Sequence, residues 1–270
     1  MINPIKKTYT INNKVTFAVE IAGEGEPLVY LHGAGGVAWD PFLEGLAQKY
    51  QVIVPYLPGT GESTGLEHID GVWDLVLYYY DLFEAMGLES VNIIGHSLGG
   101  MIATELAATD QKRIKNLVVA CPVGLWLDEH PIPDVLSMLP DEALEHAFAD
   151  PNSPYVQAMK EKANTDDVNE KIELTIERVK NLNAAGKFLW PIPDRGLKKR
   201  IHRVKAPTLI IWGDKDKMVA PIYGEEFQKS IPQSKLVTLE DASHMVLLEK
   251  HEEAINSVLT FFEMNLAKEA

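Results

Sequence analysis

The stretch Gly95-His96-Ser97-Leu98-Gly99 constrains this chain more than any other, because of what flanks it. An apolar strand pattern, Val91-Asn92-Ile93-Ile94, runs into it, and Gly100 followed by the helical run Met101–Ala107 leads away. A serine at a strand-to-helix turn, with glycine two residues before and two after, is the context of a nucleophile elbow. Such a turn is too tight for side chains at the flanking positions, so glycine stands there for steric reasons. The strained turn lifts the hydroxyl clear of the sheet, and the helix N-terminus beneath it favours developing negative charge.

The surrounding pattern agrees. Lys7–Ile11 and Val15–Ile21 alternate about Asn12-Asn13, which reads as a hairpin. Short runs rich in Val, Ile and Leu follow at Leu28–Leu31, Val52–Pro55, Val91–Ile94, Leu117–Ala120, Thr208–Trp212 and Leu236–Leu239. Runs of this kind suit strands buried on both faces of a parallel sheet. Helical patterns separate them at Pro41–Lys49, Val72–Met86, Leu98–Ala108, Ile222–Lys229 and His251–Leu266. The alternation predicts an α/β fold: a mostly parallel, doubly wound sheet opened by an antiparallel hairpin. It stops at Pro122 and resumes near Val204. The residues between carry helical stretches at Asp134–Ala149 and Asp167–Ala185, broken by prolines, and no strand signal. The expected organisation is a core of residues 1–122 and 204–270, with residues 123–203 inserted as a helical cap over the active face.

A hydroxyl attacks a carbonyl only with help: a base, a group that orients the base, and donors for the oxyanion. In a strand–turn–helix architecture the acid and then the histidine should follow the serine, each just after a later strand. Strand Leu236–Leu239 runs into Glu240-Asp241-Ala242-Ser243-His244, which makes His244 the candidate base among eight histidines. Strand Thr208–Trp212 runs into Gly213-Asp214-Lys215-Asp216, and the residues alone leave Asp214 and Asp216 both open as the acid. The turn after Leu117–Ala120 offers no carboxylate before Asp128. His32 and His96, beside the two glycine-rich turns, are expected to hold loops by hydrogen bonds.

The turn His32-Gly33-Ala34-Gly35-Gly36 follows strand Leu28–Leu31 and allows close backbone approach, so N–H groups of Ala34 and Leu98 would face an oxyanion. Its glycines lack the Gly-x-Gly-x-x-Gly spacing and no P-loop lysine follows, which argues against nucleotide binding. The net charge of −14 argues against nucleic acid or an anionic membrane as partner. The cluster Lys198-Lys199-Arg200 with Arg203 is expected to be a solvated helix face. No run of 18 apolar residues exists, and Met1–Lys7 lacks the apolar core of a signal peptide. The single cysteine, Cys121, excludes an internal disulfide and suits a reducing compartment; it is expected to be inert and buried. The expectation is a cytoplasmic protein with no metal and no membrane contact.

Together, His32–Gly36, Leu57-Pro58-Gly59-Thr60-Gly61-Glu62-Ser63, Gly95–Gly100, Pro207–Asp216 and Ser243-His244 resemble the α/β-hydrolase superfamily, in particular its small cap-bearing serine hydrolases. The resemblance implies Ser97 as nucleophile, His244 as base, Asp216 rather than Asp214 as acid, and Ala34 and Leu98 as oxyanion donors. Many relatives carry Asp and His where this chain has Tyr56 and Thr60, a departure that bears on loop geometry more than on chemistry. The implied reaction is cofactor-free hydrolysis of a small carboxylic ester through an acyl-enzyme. The pocket is expected to be apolar, with Trp126, Val219, Met245 and Trp190 near it.

Relatives that hydrolyse C–C bonds in diketone-like acids tend to show Met at the position of Leu98, Trp after the histidine, and an arginine in the cap. Leu98 and Met245 speak against that reading, while Arg178 and Arg195 leave the arginine open. Lactone or amide hydrolysis stays possible on the same machinery. Ser97 excludes the dehalogenase and epoxide-opening branches, which use an aspartate nucleophile. A non-catalytic ligand sensor is disfavoured by the complete set of reactive residues.

Overall fold

The computed structural model describes residues 2–189 and 194–269. Eight strands form one sheet: β1 (Ile5–Ile11), β2 (Val15–Ala22), β3 (Pro27–Leu31), β4 (Gln51–Pro55), β5 (Val91–His96), β6 (Ile114–Ala120), β7 (Thr208–Gly213) and β8 (Ser234–Leu239). Their order across the sheet is β1-β2-β4-β3-β5-β6-β7-β8. β2 pairs antiparallel with both its neighbours, and every pair from β4 to β8 is parallel. The β1–β2 hairpin turns where predicted, with Asn12 at φ 52° and Asn13 at φ 54°, the left-handed conformation that asparagine tolerates in a two-residue turn.

Five helices belong to the alternating part: α1 (Pro41–Leu46), α2 (Val72–Ala85), α3 (Leu98–Thr109), and, after the insertion, Ile222–Ser230 and His251–Glu269. Every residue of β5 and β7 is buried, as expected of central strands covered on both faces. β8 departs from the expectation. It is the edge strand, and only Leu239 among its residues is buried.

From β3 the chain passes through α1 to β4 on one side, then through α2 to β5 on the other. The carboxyl ends of β3 and β5 therefore flank a topological switch point, where successive connections diverge and leave a crevice. The two glycine-rich turns stand at its edges.

Between β6 and β7 the described residues hold no strand. They form three helices, α4 (Pro140–Ala147), α5 (Pro154–Ala163) and α6 (Val168–Leu189), followed by two 3-10 turns at Leu197–Lys199 and Ile201–Arg203. In chain order the later helices are α7 (Ile222–Ser230), α8 (Val246–Glu249) and α9 (His251–Glu269). The helix expected over Asp134–Ala149 is shorter because Pro140 sits in its first turn, where a missing N–H costs nothing, and cannot sit inside it. α5 escaped the sequence reading, although Ser153 caps its N-terminus and Pro154 opens it.

Of the basic cluster, Lys198, Lys199 and Arg203 are exposed, but Arg200 is not part of a solvated face. Arg200 grips the buried Glu105 of α3 with two hydrogen bonds, Nε to Oε2 at 2.7 Å and Nη2 to Oε1 at 2.5 Å. Its guanidinium also lies 5.1 Å from the Trp73 ring centroid. A charge as deep as Glu105 is tolerated only when paired, so the stretch of 3-10 turns after α6 is fastened to α3 here.

Candidate active site

The turn after β5 places Ser97 at φ 53°, a conformation that L side chains rarely adopt. The packing around it explains the glycines. A Cβ on Gly95 would lie 2.3 Å from the Gly99 carbonyl oxygen, and one on Gly99 would lie 2.0 Å from the Leu31 carbonyl oxygen. Backbone cannot yield by that much, so glycine at both positions is a steric requirement of strand, turn and helix in close contact. Ser97 is held by its N–H, which donates to the Ala120 carbonyl at 2.9 Å, while its own carbonyl accepts the first turn of α3 from Met101.

Three side chains distant in sequence meet above that turn. His244 Nε2 lies 2.9 Å from Ser97 Oγ, and its Nδ1 lies 3.0 Å from Asp216 Oδ2. A carboxylate only accepts, so Nδ1–H donates to Asp216 and Nε2 is left to accept the Ser97 hydroxyl. Asp216 Oδ1 accepts the N–H groups of Met218 and Val219 at 2.9 and 2.8 Å, which fixes the carboxylate plane. Asp216 is 5% exposed, whereas Asp214 is exposed and takes only a long 3.3 Å bond from Ala242 N–H. The structure thus separates the two aspartates that the residues alone left open: only Asp216 reaches His244.

His32 and His96 make the loop-holding bonds expected of them. His32 Nδ1 donates to the Gly33 carbonyl at 2.8 Å, and its Nε2 accepts Leu57 N–H at 3.0 Å. His96 Nε2 donates to the His244 carbonyl at 2.8 Å and so anchors the His244 loop from the far side. Burial, then the neighbouring His244, pushes the His96 pKa down to about 4. An unfolded histidine titrates near 6.5, so between those values the unfolded chain binds the extra proton. Stability is therefore present above about pH 6.5 and is lost as pH falls toward 4, by about 3 kcal/mol at most for this one group. The expected result is a melting temperature lower at pH 5 than at pH 7, with a smaller drop in His96→Gln; equal drops in both proteins contradict it.

Thr60 closes its own turn, donating to the Leu57 carbonyl at 2.7 Å, and the Tyr56 ring packs 6.1 Å from that of His32. These contacts hold the loop at Tyr56 and Thr60.

Cys121, at the end of β6, was expected to be inert. It is fully buried, at φ 43°, and its Sγ lies within 4.8 Å of ligand atoms of both Asp216 and His244. Burial and the Asp216 carboxylate push its thiol pKa well up, so it stays protonated. Cys121, Asp216 and His244 are close enough to hold a metal ion, but His244 Nδ1 and Asp216 Oδ2 already bond to each other. The topology could have revealed this neighbour, because β6 and β7 pair and Cys121 N–H donates to Ile211.

The Ser97 hydroxyl opens on a cavity of about 570 Å³. Tyr30, Ala34, Asp40 and Met218 line it, and so do Ala143, Leu144, Phe148, Tyr155, Met159 and Leu189 from the helical segment between β6 and β7. Trp126 and Met245 line it. Val219 does not. It is fully buried, its N–H spent on Asp216 and its carbonyl accepting Trp212 Nε1 at 3.0 Å, because the chain curls around the carboxylate and turns Met218 to the cavity instead. Trp190 lies outside the described residues. Ala34 lines the cavity beside Ser97; Leu98 buries its side chain elsewhere, and its N–H, the first of α3, has no partner within the helix. Asp40 was not foreseen here. It caps α1 through Oδ1 and Leu43 N–H, and burial pushes its carboxyl pKa up.

Several known proteins are similar to this chain. Lipase 1 of Psychrobacter immobilis is 28% identical over 273 residues, covering 94% of this chain and 82% of the lipase. The 2-hydroxy-6-oxo-6-phenylhexa-2,4-dienoate hydrolase of Burkholderia cepacia is 25% identical, covering 96% of each. The crystal structure of a bacterial membrane phospholipase A superposes with a TM-score of 0.78 at 19% identity, over 97% of this chain and 86% of that one, a likeness of fold. Among the described residues no helix is long and apolar enough to cross a membrane. A family model described as the alpha/beta hydrolase fold matches residues 26–251, and the chain belongs to that family.

Proposed function

We propose that this chain is a serine hydrolase of small to medium, mainly apolar carboxylic esters. The observation that carries the reading is the unbroken hydrogen-bonded line from Asp216 through His244 to Ser97, ending at a mainly apolar cavity of about 570 Å³. That size lies within the range of small-molecule sites. Ser97 Oγ attacks the ester carbonyl as His244 Nε2 takes its proton. Asp216 holds the tautomer and stabilises the imidazolium that forms. The backbone N–H groups of Ala34 and Leu98 receive the oxyanion, a term worth about 3 kcal/mol per donor in such sites. His244 then protonates the departing alcohol, and water releases the acid from Ser97. No step needs a cofactor.

In this reading residues 1–122 and 204–270 form the catalytic core, and residues 123–203 form the cap whose helices close the far side of the cavity. The acidic net charge and the lone buried cysteine favour a small-molecule hydrolase of the cytoplasm.

A second reading has a specific observation behind it. Arg178 and Arg195 line the cavity, and an arginine suits the carboxylate of a diketone-like acid. Glu177, Asp194 and Asp40 line it too and offset that attraction, which leaves the ester reading ahead. A panel of p-nitrophenyl esters of increasing acyl length separates the two. We expect turnover of short and medium acyl chains that falls once the chain outgrows the cavity. Turnover of a diketone-like acid without cleavage of any ester would overturn the proposal.

A further inference from the structure

The loop that carries His244 is bonded to the insertion on both sides of the histidine. Ser243 Oγ donates to the His146 carbonyl at 2.9 Å, and Met245 N–H donates to the Ala147 carbonyl at 2.9 Å. Both acceptors belong to the last turn of α4. Glu249 completes the junction from the end of α8. Its Oε1 accepts Ala149 N–H and its Oε2 accepts Ser243 N–H, each at 2.8 Å. One carboxylate therefore joins the backbone just past α4 to the residue immediately before His244. Ser243 is fully buried, so a lost partner there leaves an uncompensated polar group.

The geometry also explains the residue type. Two N–H donors converge on one side chain, and only a carboxylate offers an acceptor oxygen to each. Glutamine keeps the shape but turns an NH2 group against one of the two N–H groups.

We infer that Glu249 is a positioning residue for His244: by bridging Ala149 and Ser243 it holds the imidazole in line between Asp216 and Ser97, so that seating of α4 and alignment of the base are a single event. The inference rests on the reading of Ser97, His244 and Asp216 as the reacting unit. It goes beyond that reading by making the insertion part of the catalytic alignment as well as a wall of the cavity. A purely structural Glu249 would lower stability and leave the alignment untouched.

The test compares wild type with Glu249→Gln and Glu249→Ala by three measurements: thermal midpoint, kcat and KM on the p-nitrophenyl ester best cleaved by wild type, and the low-field proton NMR signal of His244 Nδ1–H in the resting protein. For the folded Glu249→Gln variant we expect kcat to fall about tenfold, the scale of a sub-ångström misplacement. KM should stay within about twofold, because Glu249 does not line the cavity, and the low-field signal should broaden or vanish. Glu249→Ala should do the same more strongly, and if it fails to fold the glutamine variant decides alone. Unchanged kcat and an unchanged low-field signal, with only the thermal midpoint lowered, overturn the inference. If wild type cleaves no ester, the functional reading fails separately, and the NMR signal still decides whether Glu249 aligns His244.

Discussion

Ser97→Ala is expected to lower kcat for ester cleavage at least about a thousandfold while the protein stays folded. Among the described contacts the hydroxyl bonds only to His244 Nε2, and alanine fits the same strained turn, so the substitution removes the nucleophile and little else. The turn itself is set by Gly95 and Gly99, which have no room for side chains, and by the Ser97 N–H bond to Ala120. What rate remains should be the fraction that oxyanion donors and binding supply without a nucleophile. Steady-state kinetics beside a circular dichroism spectrum and a melting curve measure it. A variant that retains more than about a tenth of the activity shows that another group attacks the ester.

The second large effect concerns the two aspartates. Asp216→Asn should cost about four orders of magnitude in kcat, whereas Asp214→Asn should change it by no more than about twofold. Asparagine at 216 can still accept Met218 and Val219 N–H through its oxygen. It then presents an NH2 group to His244 Nδ1, which forces the proton onto Nε2 and leaves no lone pair for the Ser97 hydroxyl. Asp214 is exposed and touches neither His244 nor Ser97. Equal losses in the two variants refute the assignment of Asp216.

Sequence reading went furthest where local rules suffice. The spacing of Gly95, Ser97 and Gly99 between an apolar strand and a helix is a local pattern, and the asparagine turn at 12–13 is another. The strand-end rule selected His244 and narrowed the acid to two neighbours, but a two-residue choice depends on how the turn curls. Only the buried Asx turn that Asp216 makes with Met218, reinforced by its bond from Val219 N–H, settles which carboxylate faces inward. The same curl moved the cavity contact from Val219 to Met218. Tertiary relations left no local trace. Cys121 beside the Asp216–His244 pair, Asp40 at the cavity wall and Glu249 between the His244 loop and the segment after α4 follow from strand pairing and packing of segments far apart in the chain. The segment between β6 and β7 was legible as helical because its prolines and apolar spacing are local; how it packs was not.

The claim that everything depends on is that Ser97 is activated by His244. Reaction with a fluorophosphonate, followed by peptide mapping on a mass spectrometer, tests it directly. The account predicts one adduct per chain on the peptide containing Ser97, absent from Ser97→Ala and formed far more slowly in His244→Ala. No adduct on the wild-type protein, or an adduct at a different serine, would contradict it.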